Sequence, residues 1–571
     1  MAWHSRNINP RFPWNCFSGL GLFLGLWATP ALAADQVALQ FTNLNTTINI
    51  PVSALDTFVQ TGQLSSNLAV YAQLAPPGAI NNLRSLLQEQ FQLTPTLINQ
   101  FATSVTGRIV FESLGEFFQT ESNQNGQTAL AIAFSKAAAN PKGFTVLDVV
   151  KQFPGTTINM DGQMSFQAAK ALGQQLQNRA LIFAKLQKLA QSAPTNPVPA
   201  QADLTQPGTT KWTMQTLELD ARSLGVTQPV PVDYYLPQGL TTPAPVIVIA
   251  YGFASNRGTF AYLAQHLASY GFAVVVPSFP FTDTQFISGY LSDTVKVPSP
   301  DIIAISMLGR PRGITLLLND LQQKVKSSPD FKMVNSQQVG ILGQSLGGYT
   351  VLASAGAALD FAGINQQCAR SNFEKLILSF NLSLLFECQL ANAPKTINGI
   401  DVTNPNLGDP RVKAVIAINP LTSIVFGQQG MSQIQVPTIL ISGSDDIFAP
   451  PLQEQIYPFT WLTTPDKYLF FLKGGTHFSF LGDDSSKGGL PVPAEMIGPN
   501  PMLARPSLKA ISTAFFRGYI ANQPQYLNYL NQSYVQSVVP QPFGVNFIKS
   551  LTAEQLQQAI TSSSSPALPK K

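Results

Sequence analysis

The stretch Val339-Gly340-Ile341-Leu342-Gly343-Gln344-Ser345-Leu346-Gly347-Gly348 decides the fold of this 571-residue chain. Its opening run, VGIL, reads as a buried strand, and Leu346–Leu359 (LGGYTVLASAGAAL) reads as a helix. Between them Gly343 to Gly347 spell G-x-S-x-G, a strand–turn–helix junction with serine at its apex. A turn this tight leaves no room for Cβ atoms, so glycines flank the serine. The pattern raises the Ser345 hydroxyl above a strand's carboxyl end, beside a helix N-terminus that favours developing negative charge.

The same texture extends outward from Trp212. Short strands are predicted at Met214–Leu217, Pro231–Leu236, Val246–Ala250, Ala273–Val276, Ala414–Ile418, Thr438–Ser442 and Tyr468–Leu472. Helices are predicted at Thr259–Tyr270 and Pro311–Val325, the latter with Pro311 in its first turn. Continuous apolar strands alternating with helices mean an α/β, mostly parallel sheet covered on both faces. In such sheets the chemistry sits at the carboxyl ends of the strands.

A serine hydroxyl needs a neighbouring base to become a nucleophile. Past the N-terminal segment the chain has two histidines, His266 and His477. His266 falls inside a predicted helix and reads as a packing residue. His477 follows the strand YLFFL in Gly474-Gly475-Thr476-His477-Phe478, at a carboxyl end, where a base is needed. The orienting acid is expected between serine and histidine in chain order. Asp445 and Asp446 both end the strand ILIS and are eligible; the spacing Gly443-x-x-Asp446-x-x-x-Pro450 favours Asp446. Two convergent N–H donors must meet an oxyanion. Leu346 supplies one, and Phe253, in Tyr251-Gly252-Phe253-Ala254-Ser255 after VIVIA, supplies the other.

Composition narrows the alternatives. Charged residues are only 11% of the chain and the formal net charge is +4, falling to +2 without the first 33 residues. No basic stripe exists, which argues against nucleic acid as a partner. Three cysteines, poorly spaced with histidine, make no zinc site, and no metal or organic cofactor is called for.

Residues 1–33 read as a secretory signal. Arg6 and Arg11 precede the apolar run Cys16–Ala28 and the small-residue site Ala31-Leu32-Ala33. That run is too short to span a bilayer, which takes about 20 residues. An exported protein, periplasmic or extracellular, follows as the expectation. Export permits a disulfide, and Cys368 with Cys388 is the available pair, worth up to about 3 kcal/mol in the chain-entropy picture.

Residues 34–190 read as a mainly helical domain with an extended opening at Val37–Val52, and 191–211 as a Pro-, Thr- and Gln-rich linker. Residues 212–571 form the sheet domain. Within it, 360–412 reads as a cap insertion over the site and 505–562 as C-terminal helices.

At these residues the chain resembles an α/β-hydrolase of the dienelactone hydrolase and platelet-activating-factor acetylhydrolase type. YGFASNR, ASYGFAVVVP, GQSLGG, SGSDDIFAP and GGTHFSF carry the likeness. The N-terminal stretches VSALDTFVQTGQLSSNLAVYAQL, TGRIVFESLGEFFQTESNQNGQTAL and GFTVLDVVKQFP resemble the domain of unknown function DUF1400, which precedes such a hydrolase in a mostly cyanobacterial family. The resemblance implies carboxylic-ester hydrolysis by a Ser-Asp-His triad, carried here by Ser345, Asp446 and His477. Relatives often have His-Gly where this chain has Tyr251-Gly252, and the elbow carries serine where true dienelactone hydrolases use cysteine. A dienelactone substrate is therefore not favoured. Phe253, Phe279, Phe281, Phe478 and Phe480, on loops at the active end, suggest an apolar or lipid-like acyl group. The rival expectation is an amide-cleaving or catalytically silent hydrolase scaffold that serves as a binding protein.

Overall fold

The structure is a computed structural model. It describes residues 33–561 except 75–78, 89, 92–94, 104, 194–202, 292–301, 370–378, 380, 394, 398–399, 402–404 and 483–500. The expected signal at 1–33, apart from Ala33, and parts of the expected linker and of the expected cap insertion therefore lie outside the described residues.

Two main apolar cores form among the described residues. The smaller is built by residues from Ala34 to Ile158. Here β1 (Gln36–Phe41) pairs antiparallel with β2 (Thr46–Pro51) and parallel with β5 (Thr157–Asp161). A two-stranded ladder of β3 (Gln90–Phe91) and β4 (Phe144–Thr145) lies within the same unit. Its helices span Val52–Thr61 through Val146–Gln152, the last opened by a capping box between Thr145 and Asp148.

The larger core surrounds a nine-stranded sheet. Its strands are β6 (Trp212–Leu219), β7 (Val230–Pro237), β8 (Ala244–Ala250), β9 (Ala273–Pro277), β10 (Val334–Gln344), β13 (Val412–Ile418), β14 (Thr438–Gly443), β15 (Lys467–Lys473) and β16 (Gly544–Ile548). The minor pair β11 (Thr396–Ile397) and β12 (Ile400–Asp401) sits in the insertion. The spatial order is β16-β15-β14-β13-β10-β8-β9-β7-β6. From β9 across to β15 every pairing is parallel, while β6, β7 and β16 run antiparallel at the edges. The central strand β10 ends at Gln344, so the following serine stands at the middle of the sheet's carboxyl edge.

Four elements differ from the sequence expectation. The segment expected as C-terminal helices, 505–562, also contains the edge strand β16, because Gly544–Ile548 pairs antiparallel with β15. The helix expected at 311–325 begins at Ile302 and runs to Ser327, with Pro311 in its interior. Proline there removes the bond to the carbonyl four residues back, that of Met307. The Tyr349 hydroxyl fills the gap by donating to Met307 O at 3.0 Å. The helix after Ser345 stops at Ser354 rather than running to Leu359, because Gly356 turns the chain with φ +105°. The helix Gly162–Ser192 belongs to neither unit alone: Phe166 packs on the smaller core, whereas Ile182, Leu186 and Ala190 are buried in the larger one. The sequence expectation had placed that helix within the N-terminal domain.

Part of the expected cap insertion is held by acids. Glu387, in the helix Leu384–Glu387, accepts N–H bonds from Ile424 and Val425. Glu454 accepts from Thr422, Ser423 and the Asn381 amide. Cys368 and Cys388 are disulfide-bonded beside this anchor. Among the described residues no helix is long and apolar enough to cross a membrane.

Candidate active site

The elbow is built by steric exclusion. Ser345 sits at φ 57° and ψ −121°, a conformation that costs energy for any residue with a Cβ. A Cβ at Gly343 would lie 2.2 Å from Gly347 O, and one at Gly347 would lie 2.0 Å from Ala250 O. Both positions therefore require glycine. The Ser345 N–H donates to Ile418 O of β13, which locks the turn to the neighbouring strand.

His477 stands in the loop after β15, with its side chain 7% exposed, and its Nδ1 lies 2.7 Å from Asp446 Oδ2. The other carboxylate oxygen, Oδ1, accepts from Phe448 and Ala449 N–H at 2.8 Å each. One oxygen thus fixes the acid to its own loop while the other faces the imidazole. An ionised carboxylate only accepts, so the Nδ1 proton is held there and Nε2 is left as the basic nitrogen. Asp445 is placed differently. Its carboxylate is 44% exposed, pairs with Arg179 and accepts from Ser444 Oγ, while its N–H donates to Gly475 O at 2.7 Å.

The loop after β8 passes directly over Ser345: a Cβ at Gly252 would lie 3.3 Å from Ser345 Cβ. In this loop Ala254 N–H donates to Thr282 O. Among the described residues, neither Phe253 N–H nor Leu346 N–H meets a hydrogen-bond partner. Two unspent donors at a helix N-terminus and an adjacent loop are what a developing oxyanion requires.

Aromatic rings crowd the same end. Phe448 and Phe478 lie 5.4 and 5.1 Å from the His477 ring, and Phe253 meets Phe386 of the insertion at 5.2 Å. Phe281 packs edge-on against Phe286. Phe279 and Phe480, grouped with them on sequence, are instead buried in the domain core, against Tyr251 and Phe470. His266 is also core: its Nε2 lies 3.1 Å from Thr513 Oγ1, and burial pulls its pKa down to about 4.

Two residues bind the site loops together without having been singled out in the sequence. Gln344 Nε2 donates to His477 O at 3.0 Å. Asn419, fully buried at the end of β13 with φ 43°, accepts from Gly443 N–H and donates to Thr476 O. Asn419 could have been suspected as a polar residue closing an otherwise apolar run, VIAIN. Gln344 occupies a position the motif leaves open.

A central parallel sheet with a serine elbow and a histidine loop at its carboxyl edge is the α/β-hydrolase fold. Residues 232–364 match the model of the dienelactone hydrolase family, and residues 33–161 match the model described as an alpha/beta hydrolase of unknown function (DUF1400). The first match runs from β7 through the elbow and stops before β13, so it contains Ser345 but neither Asp446 nor His477. The second covers the unit around β1, β2 and β5 and ends where the helix Gly162–Ser192 begins. No curated protein matches the chain.

Proposed function

We propose that the protein is an exported serine hydrolase of carboxylic esters, with Ser345 as nucleophile, His477 as base and Asp446 as the orienting acid. The contact that carries this reading is His477 Nδ1 to Asp446 Oδ2, 2.7 Å, in loops adjoining the Ser345 elbow. Ser345 Oγ attacks the acyl carbon as Nε2 of His477 takes its proton. The Phe253 and Leu346 N–H groups stabilise the resulting oxyanion. Collapse breaks the bond to the alcohol, which leaves with the proton from His477, and Ser345 stays acylated. Water, deprotonated by His477, then frees the acid.

Phe253, Phe448, Phe478 and Phe386 support an apolar acyl group as the bound moiety, with the insertion capping the site. The disulfide between Cys368 and Cys388 fits an oxidising compartment such as the periplasm or the extracellular medium. The test is hydrolysis of p-nitrophenyl esters from acetate to palmitate by residues 34–571 and by Ser345→Ala. The expected result is hydrolysis with a chain-length optimum, abolished in Ser345→Ala. Activity that survives in Ser345→Ala defeats the proposal.

A further inference from the structure

Arg310 is a buried cation that the catalytic scheme above does not use. It lies in the helix Ile302–Ser327, next to Pro311, and is 3% exposed. Its Nη2 donates to the carbonyl of Tyr251, and its Nη1 donates to Thr282 Oγ1 at 3.0 Å. The guanidinium carbon stands 3.9 Å from the Phe279 ring centroid. Among the described residues no carboxylate forms an ion pair with it. A buried charge held by a carbonyl, a hydroxyl and an aromatic face, with the acid Asp283 acting on it only from beyond ion-pair distance, is expensive to keep. Such a charge calls for a reason.

The reason lies in what it holds. Tyr251 opens the loop whose Phe253 N–H is one of the two unspent donors. That loop is stitched to the segment Phe279–Thr284. Phe279 N–H donates to Tyr251 Oη at 2.8 Å, Ala254 N–H to Thr282 O at 2.8 Å, Thr284 N–H to Ser255 O at 2.9 Å, and Thr284 Oγ1 to Ala254 O at 2.9 Å. Both segments carry a strained residue, Ala254 at φ 54° and Phe281 at φ 68°. Arg310 touches both at once, through Tyr251 O and Thr282 Oγ1. Strained backbone persists only where its surroundings over-determine it, and the fork of Arg310 does so from beneath.

Resting on the serine hydrolase reading, we propose that Arg310 is a positioning residue that fixes the oxyanion loop, so that Phe253 N–H points at the developing oxyanion. Its effect belongs to the transition state. Loss of the fork therefore lowers kcat and leaves KM nearly unchanged, since the ground-state carbonyl makes the weaker bond. Removing a whole oxyanion donor costs roughly 10²–10³ in kcat, so a mis-aimed one costs about 10–100-fold.

The experiment compares Arg310→Met, Thr282→Val and Ser345→Ala with the unaltered chain. Thermal unfolding, the rate of Ser345 phosphonylation by a fluorophosphonate, and kcat and KM on the preferred p-nitrophenyl ester are measured. Thr282→Val keeps shape and removes one of the two partners of the fork. The expected result is a fall of about 10–100-fold in kcat and in phosphonylation rate for Arg310→Met, and about 3–10-fold for Thr282→Val, with KM within about twofold. If Arg310→Met does not fold, Thr282→Val decides. An unchanged kcat and phosphonylation rate in folded Thr282→Val, or a rise in KM that accounts for the loss in folded Arg310→Met, overturns the proposal alone. Phosphonylation or hydrolysis that persists in Ser345→Ala overturns the serine hydrolase reading, and this proposal with it.

Discussion

The Gln344 amide donates to the carbonyl oxygen of His477 at 3.0 Å, so the residue just before Ser345 holds the loop that carries His477. The two groups reach each other from β10 and from the loop after β15, strands separated in the sheet by β13 and β14. Gln344 is 3% exposed and also abuts Gly252 of the oxyanion loop. Gln344→Leu keeps the volume and leaves the His477 carbonyl without this donor. It is expected to lower kcat about 10-fold with KM little changed, because base geometry matters most in the transition state. Steady-state kinetics on one ester checks this; an unchanged kcat contradicts it.

Asp445 and Asp446 are neighbours with opposite environments. Asp446 faces the imidazole from inside, whereas Asp445 faces Arg179 at the surface. Asp446→Asn is expected to lower kcat by about 10⁴, as the imidazole loses the carboxylate that fixes its tautomer. Asp445→Asn is expected to cost less than about threefold, the usual scale of a surface ion pair. Comparable losses in the two variants would contradict the assignment.

Glu387 makes a pH prediction. Burial, and then the charge of the nearby Glu454, push its carboxyl well above the ordinary value of 4.5. The folded chain therefore keeps a proton that the unfolded chain has released. Stability falls as pH rises from 4.5 towards the raised value and levels off beyond it. Glu387→Gln retains an acceptor for Ile424 and Val425 N–H and removes the charge. The variant should melt higher than the parent at pH 8. At pH 5 the gap should be smaller; an equal gap at both pH values contradicts the account.

The helix Gly162–Ser192 sets where the chain can be cut. Ile182 and Leu186 are buried in the larger core, Phe183 packs tilted against Phe471 at 4.7 Å, and Arg179 reaches Asp445. Fully burying one such aliphatic side chain is worth about 1.5–3 kcal/mol. A chain of residues 203–571 is therefore expected to be less stable than one of residues 162–571 by several kcal/mol, and so to melt at a lower temperature. Equal melting temperatures would show that the helix contributes nothing to the larger unit.

The sheet was legible because its central strands are continuous apolar runs bounded by Gly and Pro, as in VIVIA, VGIL and YLFFL. The candidate site could be proposed where chemistry restricts residue type: Ser345, Asp446 and His477 each have few competitors. Less legible were features that depend on distant partners. β5 and β16 are short edge strands whose pairing with β1 and β15 spans long stretches of chain. Pro311 reads locally as a helix start, and only the Tyr349 hydroxyl makes its interior position tenable. Gln344, Asn419 and Arg310 each make a contact more than 50 residues away in sequence, which no local pattern announces.

In the proposed reading Ser345 is a nucleophile activated by His477 and Asp446. The most direct test of this is to treat the protein with a fluorophosphonate, digest it and locate the adduct by mass. The account predicts one stoichiometric adduct on Ser345, formed far more slowly in His477→Ala. An adduct elsewhere, or labelling of Ser345 that is unaffected by loss of His477, would contradict it.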